Sequence, residues 1–272
     1  MRYIEIFFNQ ITEETIGLLI AVLPDYGFSG MEELSDGIKA YSSEEEADVQ
    51  GIKSFADLHS LSFTSKVIEE QNWNESWESN FDPVIIPGKI HVRAHFHAPI
   101  IDVEHEIIIT PKMSFGTGHH ATTLMMMKAM LKIDFTDARV IDFGTGTGIL
   151  AILAEKLGAV EIDAIDNDTW SINNAKENLV NNNSIKVNIV QLDSLSVLPP
   201  ANFVLANINK LILLSNLSEM YNKVVQGGSI LISGLLSDDY EEIVQAYKRH
   251  FGDPIDMYSD NGWIALVFTK TV

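Results

Sequence analysis

The sequence predicts an α/β protein in which a mostly parallel sheet is covered by helices on both faces and is preceded by a small α+β domain. From about residue 140 onward, strand-like apolar runs alternate with helical patterns, as in a doubly wound parallel sheet. Residues 1–70 instead show short elements in the order β-α-β-β-α-β, which is typical of a split α+β sandwich. The chain ends in a hairpin, so the last strand is expected to run antiparallel.

The first domain is predicted over residues 1–70. Residues 2–8 alternate like a strand, and Thr12 can cap a helix that runs to about Leu23. A hairpin, a second helix capped by Ser43 and a last strand follow, over 28–34 and 38–41, 44–58 and 63–69.

Residues 71–82 are predicted to link the two domains, with a short helix over 71–81 that ends at Asp82-Pro83. The second domain is predicted over 83–272 and starts with β-rich pieces that include 91–96 and 106–110. Its regular part consists of strands 140–143, 160–165, 186–190, 203–206 and 229–232, helices 150–157, 170–180, 211–224 and 240–250, and hairpin strands 255–259 and 263–269.

The composition excludes several classes of function. The chain has 272 residues, a formal net charge of −20 and no cysteine, so disulfides, thiolate metal sites and cysteine nucleophiles are excluded. No cluster of Lys and Arg offsets the negative charge, so direct binding to nucleic acid is not expected. No apolar run approaches the roughly 18 residues of a membrane span. The N-terminus lacks the pattern of a signal peptide, so we expect a cytoplasmic protein without a membrane partner.

The negative charge is distributed unevenly. Residues 1–70 hold four Lys and Arg against fourteen Asp and Glu, so the first quarter of the chain carries half of the net charge. This surplus can be solvated acidic surface, or it can be a docking surface for a basic partner.

A glycine-rich turn follows the first strand of the regular part. Gly144, Gly146 and Gly148 lie in a D-x-G-x-G-x-G sequence that begins at Asp142 and leads into a helix. Glycines let the backbone approach a ligand at the edge where open α/β sheets bind ligands, although such a turn can also be purely structural. The spacing differs from the G-x-G-x-x-G of dinucleotide sites. Asp142 suits a positively charged ligand such as S-adenosylmethionine, which carries a sulfonium and no phosphate.

Polar residues end the next three strands. Asp166 lies 22 residues after Gly144, where a carboxylate can accept hydrogen bonds from both hydroxyls of a ribose. Asp193 could meet an adenine amino group, or it could belong to a turn or a helix cap. Asn207 ends the fourth strand. Polar side chains at the ends of successive parallel strands indicate a binding site, because packing alone does not require them.

A second glycine-containing segment, 110–123, precedes an apolar helix predicted over 124–131. It forms a loop that could close over the cofactor, and Thr122 or Thr123 can hydrogen-bond locally or cap the helix. His120 could act as a base, or it could make only a hydrogen bond within the loop.

Three histidines, His91, His95 and His97, alternate like residues on one face of a strand and could suggest zinc. No carboxylate or cysteine nearby completes a ligand set. We therefore expect no metal.

The segment 114–123 (Ser-Phe-Gly-Thr-Gly-His-His-Ala-Thr-Thr), the turn 142–148, Asp166 and the Ala-Asn-Ile of 206–208 together resemble the ribosomal-protein methyltransferases of the PrmA type. The resemblance covers almost the whole chain. It implies a Rossmann-like, S-adenosyl-L-methionine-dependent methyltransferase sheet and a small ferredoxin-like N-terminal domain that recognises the substrate. It also implies methylation of lysine or N-terminal amino groups on a basic protein of the large ribosomal subunit, ribosomal protein eleven.

The cofactor contacts that the resemblance implies fall on Thr123, Gly144, Asp166 and Asn207, and Gly146 of the turn joins them. No catalytic base is assigned. The competing interpretations are a methyltransferase that acts on another protein or on RNA, a nicotinamide dehydrogenase and a non-enzymatic binding module.

Overall fold

The computed structural model describes residues 2–34, 36–69, 81–100, 102–112 and 114–271. The chain divides into two compact units, Met1–Asn80 and Phe81–Val272, and each has its own hydrophobic core. The short helix predicted over 71–81 lies outside the described residues apart from Phe81. The linker over 71–82 and the domain limits derived from it stay predictions.

The small unit is an α+β sandwich. Its elements in chain order are β1 (Arg2–Asn9), α1 (Glu13–Val22), β2 (Gly30–Leu34), β3 (Gly37–Ser43), α2 (Val49–Leu58) and β4 (Thr64–Glu69). The sheet has the order β2-β3-β1-β4 with antiparallel neighbours, which confirms the ferredoxin-like prediction. Because strand residues alternate between faces, Ile6 and Phe8 of β1 enter the same core as Leu19 of α1 and Ile52 of α2.

The second helix of the small unit begins later than the sequence predicts. Ser43, the predicted cap, instead ends β3, where it pairs with Tyr3 of β1. The hydroxyl of Ser43 accepts a hydrogen bond from the amide of Glu46 at 3.3 Å and so belongs to a turn. The cap of α2 is Asp48, whose carboxylate accepts from the amide of Gly51 at 2.8 Å. Strand pairing, which local sequence does not reveal, overrides the capping signal of Ser43.

The large unit begins with a small sheet of β5 (Val84–Ile86), β6 (Ile90–Arg93) and β7 (His105–Ile108). The strand predicted over 91–96 ends early, because Ala94 and His97 form a turn. The amide of His97 donates to the carbonyl of Ala94 at 3.2 Å, and the amide of Ala94 donates to Nδ1 of His97 at 3.1 Å. The prediction that His91, His95 and His97 share one strand face is therefore wrong.

The rest of the large unit contains α3 (Ala121–Met130), β8 (Arg139–Phe143), α4 (Ile149–Lys156), β9 (Glu161–Asp166), α5 (Thr169–Asn181), β10 (Val187–Gln191), β11 (Ala201–Asn207), α6 (Lys210–Ser215), α7 (Leu217–Lys223), β12 (Val224–Leu236), α8 (Tyr240–Phe251), β13 (Asp256–Asp260) and β14 (Trp263–Thr269). The strand order is β10-β9-β8-β11-β12-β14-β13. Neighbours from β10 to β12 are parallel, and β14 is antiparallel to β12 and β13. The predicted Rossmann-like sheet with an antiparallel last strand is confirmed.

The helix predicted over 211–224 is divided into α6 and α7 at Asn216. The side-chain Nδ2 of Asn216 donates to the carbonyl of Ile212 at 3.0 Å, and its backbone (φ −102°, ψ 5°) leaves the helical region. An amide side chain that bonds to the preceding turn competes with helix continuation, which explains the break.

The parallel strands place alternate residues in two different cores. Val140 and Leu205 belong to one core, while their neighbours Ile141 and Ala206 belong to the other. The sheet is therefore buried on both faces, as expected when helices cover both sides. The carboxyl ends of the parallel strands meet at one edge, and polar residues follow them there.

Candidate functional site

The glycine turn, residues 144–148, leads from β8 to α4 with φ values of 75°, 55° and 82° at its three glycines. The amides of Gly144 and Thr145 both donate to the carbonyl of Ile165 in β9, at 2.9 and 3.0 Å. Residues with a side chain rarely adopt this left-handed backbone, so the turn needs glycine at these positions.

Two other segments approach the turn so closely that a side chain on it would not fit. A Cβ atom on Gly144 would lie 2.3 Å from Cγ2 of Ile208, and one on Gly146 would lie 2.4 Å from the carbonyl oxygen of Phe115. Both distances are far below van der Waals contact. The glycines therefore allow the segment after β11 and the loop before α3 to pack against the turn.

A cavity of about 590 Å³ opens at this edge of the sheet. The residues predicted to contact a cofactor all line it: Thr123, Gly144, Gly146, Asp166 and Asn207. Asp193 lines it as well, whereas no Lys or Arg does so in the described part of the chain. The formal charge of the lining is therefore negative.

Asp166, at the end of β9, is oriented by two backbone amides. Its Oδ2 accepts from the amide of Gly146 at 2.9 Å, and its Oδ1 accepts from the amide of Asp168 at 3.0 Å. Each carboxylate oxygen can accept more than one hydrogen bond. Both oxygens thus remain able to accept from a ligand, and the amides fix the direction in which they do so.

Asn207, at the end of β11, has a side-chain oxygen that no described residue contacts by a hydrogen bond. Its Nδ2 donates to Oγ1 of the fully buried Thr123 at 3.2 Å. Its Oδ1 is buried and has no hydrogen-bond partner among the described residues. Leaving such an oxygen unpaired costs about 1–3 kcal/mol, so a ligand that donates a hydrogen bond here would be favoured.

Asp142 lies beneath the glycine turn and does not line the cavity. Its side chain is 1% exposed, and its Oδ2 accepts from the hydroxyl of Thr145 at 2.6 Å. Burial raises the pKa of Asp142 to about 7. The sequence suggested that Asp142 suits a positively charged ligand; in the structure this carboxyl is buried and bonded to Thr145, and it supports the turn from inside.

His120 caps α3, so the prediction of a threonine cap at Thr122 or Thr123 is wrong. Nδ1 of His120 lies 2.8 Å from Oγ1 of Thr122 and accepts from the amide of Thr122 at 3.4 Å. Both threonines lie inside the helix and are fully buried. Of the two roles considered for His120, the structure contains a local hydrogen bond, which is made to the first turn of α3 and not within the loop.

Aromatic residues form one wall of the cavity, and the sequence did not single them out as a group. The ring of His120 lies 5.2 Å from that of Phe115 and 4.8 Å from that of Trp263, between centroids. Phe115 belongs to the loop already expected to cover a cofactor, so the sequence could have indicated that it lines the site. Trp263 comes from β14, and no local pattern connects it to that loop.

Metal and membrane sites find no support in the residues that the structure describes. No group of three or more His, Cys, Asp or Glu among them is placed to hold a metal ion. His91 is fully buried, and burial lowers its pKa. None of the helices in the described ranges is long and apolar enough to cross a bilayer.

The sequence matches a known family over most of its length. The family model “Ribosomal protein L11 methyltransferase (PrmA)” matches residues 26–271. A protein named ribosomal protein L11 methyltransferase from Porphyromonas gingivalis is 38% identical, with 99% of this chain and 98% of the relative covered. One of the same name from Chlorobaculum parvum is 32% identical over 99% and 97% of the two chains.

Solved structures show the same architecture. The crystal structure of ribosomal protein L11 methylase from Lactobacillus delbrueckii subsp. bulgaricus has a TM-score of 0.64 and 25% identity, and the match covers 71% of this chain and 100% of that one. A 16S rRNA methyltransferase from T. thermophilus, in complex with AdoMet and guanosine, has a TM-score of 0.51 and 16% identity over 58% and 45% of the two chains. This second likeness shows the fold alone.

Proposed function

This chain belongs to the PrmA family of ribosomal protein L11 methyltransferases, and we propose that it methylates lysine or N-terminal amino groups of ribosomal protein L11. It is a methyltransferase whose cofactor is S-adenosyl-L-methionine. One observation carries the proposal. The glycine turn, the fixed carboxylate of Asp166 and the side-chain oxygen of Asn207, which has no partner among the described residues, meet in a single cavity.

The cavity fits S-adenosyl-L-methionine in size and charge. Its volume of about 590 Å³ lies within the usual range for small-molecule sites, roughly 300–1,000 Å³. Its carboxylates, and the absence of Lys and Arg from the described lining, suit a sulfonium cation. When bound, the cofactor supplies an electrophilic methyl group on a positively charged sulfur.

We assign the cofactor contacts to Thr123, Gly144, Gly146, Asp166 and Asn207. Asp166 offers two oriented acceptor oxygens, which is the arrangement that the two adjacent hydroxyls of a ribose require. The two glycines leave the backbone of the turn open to close approach, since neither carries a Cβ. Thr123 holds the amide of Asn207 in place through its hydroxyl.

The amine substrate must lose a proton before it can be methylated. A lysine with a pKa of about 10.4 is neutral in on the order of 10⁻³ of molecules at pH 7, which corresponds to about 4–5 kcal/mol. An apolar cavity beside a cation lowers the pKa of the amine. Oδ1 of Asn207, which has no partner in the described part of the chain, can accept an N–H of the amine and so direct its lone pair. No dedicated base is assigned, since Nδ1 of His120 already caps a helix.

The aromatic wall suits the same amine before and after methylation. Phe115 is 52% exposed and lines the cavity together with Trp263. Ring faces attract ammonium groups, with about 0.5–2 kcal/mol of stabilisation that increases as water is removed. The wall can therefore hold a charged amine near the cofactor, and because ring faces attract it more weakly than a paired carboxylate would, they oppose its deprotonation less.

The charge of the chain supports a basic protein as the partner. Residues 1–70 carry half of the net charge of −20, so we propose that the small unit takes part in binding L11. The same charge disfavours RNA as the direct substrate. Since L11 is a ribosomal protein, the proposed compartment is the cytoplasm.

Mass spectrometry of purified L11 tests the function directly. L11 is incubated with this protein, with and without S-adenosyl-L-methionine, and intact masses and peptides are measured. We expect increments of one methyl group or more, confined to amino groups. L11 whose amines have been chemically acetylated is the matched control and should gain none. Unmodified L11 after complete incubation would contradict the proposal.

A further inference from the structure

Thr147, between the last two glycines of the turn, connects three parts of the large unit. It is fully buried. Its amide donates to the carbonyl of Phe115 at 3.1 Å, and its hydroxyl donates to the carbonyl of Gly116 at 2.5 Å. Its own carbonyl accepts from Nδ2 of Asn178 in α5 at 2.8 Å. Thr147 does not line the cavity, whereas Phe115 and Gly116 do.

Asn178 extends this connection to the base of the same loop. It is fully buried, and its Oδ1 accepts from the amide of Thr110 at 2.8 Å while its Nδ2 holds Thr147. Residues 115–116 therefore hydrogen-bond the loop before α3 to the glycine turn, and Thr110 bonds it to α5. Glycine at position 116 permits this close approach, because a Cβ there would lie 2.8 Å from the hydroxyl oxygen of Thr147.

We propose that Thr147 is a positioning residue: its hydroxyl holds the 114–118 loop against the glycine turn and thereby sets the affinity for the cofactor. The inference rests on the proposed function of the cavity. Without the hydroxyl, the partly buried carbonyl of Gly116 loses its donor, and the loop is no longer favoured in the position that closes the wall. Part of the binding free energy of the cofactor is then spent on bringing the loop into this position.

Two substitutions separate the hydroxyl from the volume of the side chain. Thr147→Val is nearly isosteric and replaces the donor by a methyl group, which cannot stay 2.5 Å from the carbonyl of Gly116, while Thr147→Ser keeps the hydroxyl. We expect the Kd for S-adenosyl-L-methionine, measured by calorimetry, to rise about tenfold in Thr147→Val. It should stay within about twofold in Thr147→Ser. In steady-state kinetics, the weaker binding in Thr147→Val should raise the KM for the cofactor and leave kcat nearly unchanged.

A matched control comes from the small unit. The hydroxyl of Ser42 is also buried and donates to a glycine carbonyl, that of Gly27, at 2.7 Å. Ser42→Ala should lower thermal stability to a similar degree as Thr147→Val and leave the Kd for the cofactor unchanged. If both variants weaken cofactor binding equally, the effect is general destabilisation and the proposal is wrong.

Hydrogen exchange of the ligand-free protein tests the contact without any methyl transfer. We expect the amides of residues 115–118 to exchange faster in Thr147→Val than in wild type, and at the wild-type rate in Thr147→Ser. Equal exchange in all three proteins would overturn the inference. If wild type binds no cofactor at all, the proposed function fails, and the exchange rates still decide whether Thr147 holds the loop.

Discussion

Buried polar groups in the two units of this protein differ in whether their partners are already present. In the small unit, Glu5 is 7% exposed and pairs with Lys66 at 2.9 Å. In the large unit, the buried Oδ1 of Asn207 has no partner among the described residues, and Asp166 faces the same cavity. A polar group whose partners all come from its own unit stabilises the fold. A polar group left open beside a cavity marks a place where a ligand completes the structure.

The largest effect is expected from the glycine turn. Gly146 (φ 55°) and Gly27 of the small unit (φ 86°) form a matched pair, because a Cβ on either would press against a backbone carbonyl, at 2.4 and 2.1 Å. Strain and clash together cost about 3 kcal/mol. We expect Gly146→Ala to weaken cofactor binding about 100-fold in calorimetry. Gly27→Ala should destabilise the small unit and leave the Kd for the cofactor unchanged; a Gly146→Ala protein that binds normally would remove the turn from the site.

Asn207 should show the next largest effect. We expect Asn207→Ala to lower kcat/KM for methyl transfer about 30-fold, because an oxygen that orients the amine is lost. Asn182 provides the contrast, since its Oδ1 and Nδ2 are both bonded to the backbone of Ile108, at 2.9 and 2.7 Å. Asn182→Ala should lower the melting temperature without a specific loss of turnover at 25 °C. Initial rates and melting curves of both variants decide the comparison.

The buried carboxyl of Asp142 should make the stability of the large unit depend on pH. Burial raises its pKa from 3.8 to about 7, so the folded state binds this proton more tightly than the unfolded chain does. The contribution of Asp142 to stability is therefore greatest below about pH 4 and falls as the pH rises to about 7. Asp142→Asn removes this dependence.

Calorimetric melting at pH 5 and pH 8 measures that change. The melting temperature of Asp142→Asn, taken relative to that of wild type, should be roughly 5–10 °C higher at pH 8 than at pH 5. The transition of the small unit should be the same in both proteins. A constant difference across this range would mean that Asp142 does not titrate in it.

The smallest expected effect concerns the charge of the small unit. Raising the ionic strength screens attraction between exposed charges. We expect the KM for L11 to rise about threefold between 50 and 300 mM salt, while the KM for S-adenosyl-L-methionine stays constant. Steady-state kinetics with each substrate varied in turn measures both. A KM for L11 that is independent of salt would identify the acidic residues as solvated surface only.

The sequence predicted the sheets because their signals are local. The alternation of β1 and the strand–helix rhythm from β8 onward follow from which residues must be buried. The errors arose where a contact that the residue pattern does not reveal decides the outcome. Ser43 joins a strand because it pairs with Tyr3, and Asn216 breaks a helix by bonding back to Ile212.

The residues of the candidate site also separate into those that the sequence predicts and those that it does not. Asp166 and Asn207 were predictable, since residues at the ends of parallel strands must meet at one edge of the sheet. Trp263 and the hydroxyl of Thr147 were not, because their contacts join segments that are far apart in the chain. Asp142 was expected to suit a positively charged ligand, but it does not line the cavity, and its motif does not reveal which way the side chain points.

Calorimetry of S-adenosyl-L-methionine binding to Asp166→Ala tests most directly whether the strand ends hold the cofactor. Asp163, on the same strand, is the control, because Arg139 and Asn188 already satisfy it at 2.7 and 3.0 Å. We expect Asp166→Ala to raise the Kd about 30-fold, the effect of losing charged hydrogen bonds, and Asp163→Asn to leave it unchanged. Wild-type affinity in Asp166→Ala would contradict the assignment of the cavity to the cofactor.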